Sequence, residues 1–443
     1  MQRSNGSKLL TLNAALALVT LLLPLPAASQ TLSAQESDPV KMGWMQGFPP
    51  VQSQRITQPD SNFFSFPKLR WSVCNMRQLM PTTNISRAIN HYQPLVFSPL
   101  SDIDNLSFTP LNSKQSMTWQ QSLMANYTDG ILVLHQGKVV YERYFGCLNE
   151  TEYHAAMSMT KSVTGLLAEM FIAQGKLDDN AKVVDIIPAL ADSAFADATV
   201  RQVMNMTTAL DYSEDYADPK ADIWQYSYAA NPLPKPDNYT GPVGYFDYLK
   251  TVKKAGEHGA AFGYKTVNSD VLGWVLATVS QKPLNQLVTE MLWQPIGMAQ
   301  DAYMTVDSLG TPFAGGGLSA TLRDMAKLGQ AMLNNGQVNN VQVIPQQAIS
   351  SIRQGGDHEV FAKANYSALP KGSYKSMWWL LHNKHNAFAA RGVHGQTVYI
   401  DPTAQMVIVR FASHPIAANG ANDPASLPAY QALAEYLLRQ KND

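Results

Sequence analysis

Strand patterns occur in two separate parts of this sequence, and a long helical stretch lies between them. Apolar runs at residues 131–134 and 139–141 flank a short turn that contains Gly137, a pattern typical of a β-hairpin. Three further strand patterns come late in the chain, at residues 376–381, 396–400 and 406–411. We therefore predict an α/β (α+β) fold: an antiparallel sheet built from both chain ends and flanked by helices, with a mainly helical subdomain inserted at roughly 161–331.

The middle and the end of the chain show helical periodicity. Helices are predicted over residues 158–173, 271–280 and 322–333, and a final helix over 425–439. Residues 212–242 form a loop rich in Pro and Tyr. Such a loop is typical either of a lid or binding wall or of simple surface packing, and the sequence leaves both interpretations open.

Residues 1–29 have the pattern of a signal peptide. Arg3 and Lys8 precede a mostly apolar run at 9–25, and the small residues at 27–29 suit cleavage before Gln30. The alternative is an uncleaved membrane anchor, which the short apolar run and its prolines disfavour. We expect an exported protein, periplasmic or secreted.

Residues 30–115 lack regular periodicity but contain many aromatic side chains, so we predict an N-terminal extension packed on the main body. The main body is then a single domain at 116–443. The chain has only two cysteines, Cys74 in the extension and Cys147 after the hairpin. In an oxidising compartment they could form a disulfide, and two buried thiols are an equal alternative.

Composition excludes several classes of protein. Hydrophobic residues make up 45% of the 443 residues and charged residues 15%, which excludes a disordered chain and a disulfide-dense scaffold. The net charge is −1, with no block of like charge. We therefore expect no nucleic-acid partner. The nine histidines show no metal-ligand spacing, so we expect neither a metal nor another cofactor.

The strongest chemical signal is the S-x-x-K sequence of Ser158 and Lys161 at the start of a predicted apolar helix. A spacing of three places both side chains on one helix face, where the amine can reach the hydroxyl. A serine hydroxyl needs a base to become a nucleophile, and a lysine sheltered from water can act as one. Alone the pattern is weak, because a capping serine and a solvated lysine have the same spacing.

Two other segments add candidates. Tyr264 lies just before the predicted helix at 271–280, where its hydroxyl could act as a proton relay beside a lysine, although a packed aromatic is the simpler interpretation. Gly392 and Gly395 flank Val393 and His394. Glycines allow a strand edge to approach a ligand closely, so a backbone N–H there could join that of Ser158 in an oxyanion hole.

Four segments, taken in their order along the chain, resemble the serine hydrolases of the β-lactamase and penicillin-binding protein superfamily. They are SMTKS at 158, FGYKTVN at 262, AGGGLSATLRDMAKLGQ at 314 and RGVHGQTVYIDP at 391. They are most similar to the class C branch that includes 6-aminohexanoate-dimer hydrolases and related esterases. The resemblance covers about residues 118–437.

The resemblance implies a role for each matching position. Ser158 would be the acylated nucleophile, Lys161 its general base and Tyr264 the proton shuttle, while the N–H groups of Ser158 and Val393 would form the oxyanion hole. The substrate-binding candidates are Tyr216, Trp379 and His394. The implied function is hydrolysis of a small amide or ester through a Ser158 acyl-enzyme. A homodimer is a possible oligomeric state that the sequence does not decide.

The chain also departs from the superfamily pattern. Tyr-x-Asn is replaced by Tyr264-Lys265-Thr266, and Lys-Thr-Gly by Ala390-Arg391-Gly392. Because that lysine supports the carboxylate of penicillins and peptides, its loss puts recognition of both in doubt. A β-lactamase or D-alanyl-D-alanine peptidase stays as one alternative, and a binding protein without turnover as another.

Overall fold

The computed structural model describes residues 31–57, 62–233 and 235–440. The predicted signal peptide lies outside these residues. The strands, in chain order, are β1 (Thr82–Ile85), β2 (Val96–Phe97), β3 (Ser107–Phe108), β4 (Met117–Thr118), β5 (Thr128–His135), β6 (Lys138–Tyr144), β7 (His154–Ala155), β8 (Leu210–Asp211), β9 (Lys253–Lys254), β10 (Ala302–Thr305), β11 (Leu318–Ala320), β12 (Gln337–Val338), β13 (Val341–Gln342), β14 (Ser373–Lys375), β15 (Trp378–Leu380), β16 (Phe388–Gly392), β17 (Gln396–Asp401) and β18 (Met406–Ala412).

The helices, in the same order, are α1 (Leu69–Ser72), α2 (Met76–Leu79), α3 (Trp119–Ala125), α4 (Met159–Ala173), α5 (Val183–Ile186), α6 (Val200–Met204), α7 (Asp222–Ala230), α8 (Tyr245–Leu249), α9 (Val267–Ser280), α10 (Leu284–Val288), α11 (Gln294–Ile296), α12 (Leu322–Leu333), α13 (Gln346–Gln354), α14 (His358–Ala362) and α15 (Asp423–Gln440).

The main sheet has eight strands in the order β14-β15-β16-β17-β18-β5-β6-β2. The late strands therefore pair with the early hairpin through β18 and β5, in antiparallel register with Val409 opposite Leu132. This confirms the predicted fold class. One pair differs from the expected antiparallel sheet, because the short edge strand β2 runs parallel to β6.

Helices cover both faces of this sheet. Ile131, Val133 and Ile408 pack on one face with Trp119 of α3 and Leu433 of α15. The alternate residues of the same strands, Leu132, Leu134, Val407 and Val409, face the large core that includes α4 and α12. This alternation is what a strand buried on both faces requires.

The N-terminal extension adds an edge strand to each of the two larger sheets. Strand β2 closes the main sheet, and β1 closes a four-stranded sheet of order β1-β10-β11-β7. The buried Arg70 ties the extension to β5 through an ion pair with Asp129 at 3.0 Å. A disulfide joins Cys74 to Cys147, which decides between the two interpretations of these cysteines.

Three local details differ from the predictions. The single strand expected at 376–381 is a hairpin in which Lys375 of β14 pairs with Trp378 of β15. Ser376 and Met377 form its two-residue turn with φ of 51° and 65°, a conformation in which a strand cannot continue. The loop expected at 212–242 contains α7, and strand β16 was not predicted because its small residues give no clear alternation.

Candidate active site

Ser158 lies at the beginning of α4, and the backbone places it at a sharp bend. The preceding residue, Met157, has a φ of 48°, a left-handed conformation that is uncommon for a residue with a side chain. Lys161 follows one helical turn later, and its Nζ lies 3.0 Å from the Oγ of Ser158. Lys161 Nζ also donates to the carbonyl oxygen of Gly315 at 2.6 Å. The predicted pair therefore meets in space.

The environment of Lys161 favours its neutral form. The side chain is buried, and burial lowers the pKa of its amine to about 8, while the negative charges of Glu214 and Asp270 oppose the shift. Burial likewise raises the pKa of the Asp270 carboxyl to about 7, and the charge of Lys161 opposes that shift. A substantial fraction of Lys161 is therefore unprotonated in mildly alkaline solution and can accept a proton.

Tyr264 completes a three-residue cluster with Ser158 and Lys161. The Lys161 amine lies 5.2 Å from the centre of the Tyr264 ring. Burial and the charge of Glu214 raise the pKa of Tyr264, and the neighbouring Ser158 hydroxyl only partly offsets this. The phenol thus holds its proton at neutral pH and is suited to donate it.

The end of β16 approaches the nucleophile closely. A Cβ atom at Gly392 would lie 3.0 Å from the backbone nitrogen of Ser158, so only glycine fits without displacing one of the two segments. Val393 follows Gly392 directly and lines the same cavity as Ser158. The geometry therefore brings together the two segments that supply the predicted oxyanion-hole N–H groups.

His394 also lines this cavity. Its Nδ1 lies 2.7 Å from the carbonyl oxygen of His414. Because a carbonyl can only accept, we assign the proton of the ring to Nδ1. Burial lowers the pKa of His394 to about 4, so the ring is neutral near pH 7 and its Nε2 is an acceptor.

Trp379, a predicted substrate-binding residue, and Arg391, which stands where the superfamily has a lysine, both lie outside the described cavity lining around Ser158. Trp379 is buried behind Tyr264, with their rings stacked at 5.6 Å, and does not belong to the cavity lining around Ser158. Arg391 forms an ion pair with Asp423 and lies over the Trp379 ring at 5.2 Å. Its guanidinium lines a separate small cavity. Arg391 therefore does not replace the missing carboxylate-binding lysine.

The segment before α7 is a wall of the site. Tyr216 lines the cavity, and its hydroxyl donates to Glu214 at 2.6 Å. The same carboxylate accepts a hydrogen bond from the Thr266 hydroxyl at 2.5 Å. Glu214 thus links the loop to the beginning of α9, two residues after Tyr264.

The cavity around Ser158 has a volume of about 470 Å³ and is mainly apolar. Its lining includes, besides the residues already named, Phe63, Phe64, Met76, Met80, Met157, Ile223, Trp224, Tyr226, Ala230, Tyr245, Phe313 and Ala417. Among the described residues, no group of three or more His, Cys, Asp or Glu side chains is placed to hold a metal ion.

Sequence reasoning missed several of these residues. Glu214 and Asp270 were not among the predicted site residues, and their charges act on Lys161 only because the fold brings them near it. Phe63, Phe64, Met76 and Met80 lie in a stretch without periodicity. The only indication that this stretch packs on the main body was its unusual number of apolar and aromatic side chains. Gly315 belongs to the segment AGGGLSATLRDMAKLGQ, but the sequence does not indicate that its carbonyl contacts Lys161.

Comparisons with known proteins agree with this architecture. The Beta-lactamase family model matches residues 121–429. The chain is 30% identical over 350 residues to a 6-aminohexanoate-dimer hydrolase of Paenarthrobacter ureafaciens, covering 79% of this chain and 86% of the relative.

Solved structures with a similar fold are also found. One is a Bacillus anthracis protein assigned as a 6-aminohexanoate-dimer hydrolase, with a TM-score of 0.77, 30% identity and coverage of 86% of this chain and 97% of the other. EstCE1, a hydrolase with promiscuous acyltransferase activity, shares the fold at a TM-score of 0.54 and 19% identity, covering 71% of this chain and 96% of its own. The chain belongs to the Beta-lactamase family.

Proposed function

We propose that this protein is an exported serine hydrolase that cleaves an amide or ester bond of a small substrate through an acyl-enzyme on Ser158. The observation that carries the proposal is the 3.0 Å contact between the Lys161 amine and the Ser158 hydroxyl in a buried site. A buried amine with a lowered pKa beside a serine is the arrangement that makes the serine nucleophilic.

Acylation begins when neutral Lys161 accepts the proton of the Ser158 hydroxyl. The Oγ then forms a bond to the substrate carbonyl carbon, and the resulting oxyanion is held by the N–H groups of Ser158 and Val393. When the tetrahedral intermediate collapses, the bond to the leaving amine or alcohol breaks. Tyr264 gives its proton to that leaving group and regains one from the Lys161 ammonium.

Deacylation reverses these roles. A water molecule attacks the acyl carbon, and Tyr264 and Lys161 together accept its proton. The bond between the acyl carbon and Oγ breaks, the acid leaves, and Ser158 recovers its proton. No metal or organic cofactor takes part in this scheme.

The substrate class is argued from the relatives and from the site. The dimer of 6-aminohexanoate is joined by an amide bond, so a hydrolase of that dimer cleaves an amide, and EstCE1 is a hydrolase of the same fold. Arg391, which stands at the position of the lysine that supports the carboxylate of penicillins and peptides, is paired with Asp423 and does not belong to the described cavity lining. An amide or ester substrate is therefore favoured over a β-lactam or a cell-wall peptide.

A fluorophosphonate probe tests the nucleophile. Mass spectrometry should locate the adduct on Ser158, and Ser158→Ala should abolish both the adduct and turnover of p-nitrophenyl acetate. Ser107→Ala is the control, because Ser107 is an exposed residue of β3 and is not part of the cavity lining. Equal turnover by wild type and Ser158→Ala would instead favour a binding protein.

Export rests on separate observations. The apolar leader at 1–29 and the Cys74–Cys147 disulfide both suit an oxidising compartment outside the cytoplasm. Across the part of the chain that the structure describes, no helix has the length and apolar character needed to cross a membrane. Fractionation of a producing bacterium, with the mature N-terminus determined by mass spectrometry, tests a periplasmic or secreted location and cleavage before Gln30.

A further inference from the structure

We infer that the N-terminal extension is a specificity element: residues 63–80 form one wall of the catalytic cavity and select uncharged, apolar acyl substrates. This inference rests on the proposed function, because it concerns the substrates of the same Ser158 site. The wall lies outside residues 121–429, the region that the family model matches. The family model therefore does not cover this wall.

Four side chains of the extension line the cavity that contains Ser158: Phe63, Phe64, Met76 and Met80. The Phe63 and Phe64 rings contact each other at 4.9 Å, and Met76 is buried in the same core as Leu69 and Val73 of the extension. Phe64 is 41% exposed although it is a large apolar side chain. An exposed aromatic at the edge of a cavity is suited to cover an apolar ligand.

Other parts of the cavity lining are also apolar. Ile223 and Trp224 of α7 and Phe313 line the cavity beside Ser158. Within the described lining, Lys161 is the only side chain with a formal charge near neutral pH, and it already contacts Ser158 and Gly315. A substrate ammonium group would find no opposite charge in this lining. A substrate carboxylate would find only Lys161, whose amine must be neutral to activate Ser158, and either charged group would lose its hydration.

The three charged residues of this segment, Lys68, Arg70 and Arg77, do not line the cavity as the structure describes it, and Arg70 is buried in its ion pair with Asp129. Arg77 stands between Met76 and Met80, but its guanidinium lies over the Tyr303 ring at 4.2 Å and donates to Asn84 at 2.9 Å. Arg77 is absent from the cavity lining as the structure describes it. The wall therefore presents only its apolar side chains to the substrate.

The disulfide fixes this wall in place. Cys74 lies two residues before Met76, and Cys147 lies in the segment after β6, eleven residues before Ser158. The covalent link thus joins the wall to the segment that leads to the nucleophile. A wall held only by side-chain packing would have more freedom to move away from the substrate.

The test compares three p-nitrophenyl esters of similar length: heptanoate, 6-aminohexanoate and the adipate monoester. The mature full-length protein should give a kcat/KM for the heptanoate about 10- to 100-fold higher than for either charged ester. All three rates are corrected for spontaneous hydrolysis and divided by the rate with p-nitrophenyl acetate, which carries almost no acyl chain.

Charge variants test whether the wall makes this selection. Phe64→Glu should raise the relative kcat/KM for the 6-aminohexanoate ester and lower that for the adipate ester, each by about 5-fold or more. Met80→Glu should act in the same direction and serves as a second variant. Phe48→Glu is the matched control, because Phe48 is a fully exposed residue of the same extension outside the cavity lining.

The outcomes separate the two proposals. If Ser158→Ala abolishes turnover but the three esters react equally, the inference about the wall is wrong and the hydrolase stands. The inference about the wall is also wrong if both glutamate variants keep the circular dichroism of the wild type and leave the ratios of kcat/KM among the three esters unchanged. If turnover persists in Ser158→Ala, the proposed function itself fails.

Discussion

The amine of Lys161 lies 3.0 Å from the hydroxyl oxygen of Ser158, and the Lys161 side chain is buried. This relationship determines the pH range in which the site can react. A protonated amine donates a hydrogen bond to the serine but cannot take its proton. The neutral amine can, and burial makes that form accessible near neutral pH.

We therefore expect kcat/KM to rise with pH through an apparent pKa of about 8, the value to which burial lowers the pKa of Lys161. The sign follows from the protonation state, since the active amine is the unprotonated one and activity is lost as the pH falls. Lys161→Met should lower kcat by roughly 10²- to 10⁴-fold. A pH profile of p-nitrophenyl acetate hydrolysis measures both effects.

Asp270 should affect the pH at which kcat/KM rises. Its negative charge raises the pKa of Lys161, so Asp270→Asn should move the rising limb to lower pH. The amide keeps an oxygen that can accept from the Ala314 N–H, the partner of Asp270 at 2.9 Å. Asp192→Asn, at an exposed position, is the control and should leave the limb unchanged. If the rising part of the pH profile stays at the same pH in Asp270→Asn, the Asp270 charge does not raise the pKa of Lys161.

Tyr264→Phe should lower kcat by roughly 10²-fold or more, because the phenyl ring keeps the packing on Trp379 but has no proton to deliver to the leaving group. Tyr366→Phe is a matched control, since Tyr366 also packs on Trp379, at 5.1 Å, but lies outside the cluster of Ser158, Lys161 and Tyr264. Steady-state kinetics with an amide and an ester compares the two variants. Equal losses in both would assign Tyr264 a packing role only.

Tyr216→Phe should raise KM with a smaller change in kcat. The substitution removes the hydrogen bond to Glu214 at 2.6 Å and so loosens the loop that forms one cavity wall. The expected increase is about 5- to 10-fold, from the loss of one hydrogen bond to a charged group. Tyr228→Phe, on an exposed tyrosine of α7, controls for general effects on the helix. A fall in kcat alone would contradict a binding role.

Replacing both cysteines should lower stability. The disulfide closes a loop of 73 residues, so Cys74→Ser/Cys147→Ser is expected to lower the free energy of unfolding by roughly 2–5 kcal/mol. Denaturant unfolding of the double variant and the wild type measures the difference. When a reductant is present, the wild type and the double variant should have the same free energy of unfolding. Equal free energies of unfolding without a reductant would contradict the prediction.

The fold class and the location of the reactive pair could both be predicted from the sequence. The strand patterns on both sides of a helical stretch indicated a shared sheet, because strands with alternating buried residues must pair to satisfy their backbone. The contact between Ser158 and Lys161 was predictable because helical spacing is local. It depends on the geometry of one helical turn and on nothing distant.

Other parts of the site depend on segments far apart in the chain. The sequence could not indicate that Arg391 pairs with Asp423 instead of facing the substrate, or that Trp379 lies behind Tyr264. The direction of a side chain depends on the partners that tertiary packing brings near. For the same reason the hairpin turn at Ser376 was mistaken for a continuous strand.

By itself, the sequence determined the local elements, the candidate nucleophile and its base, because these follow from periodicity and from spacing within one helix. Only the tertiary structure decided the electrostatics and the shape of the cavity. The pKa of Lys161 depends on burial and on Glu214 and Asp270, which are distant in the chain. The wall at residues 63–80 likewise reaches the site only because this part of the chain packs against the segments around Ser158 and is linked to them by Cys74 and Cys147.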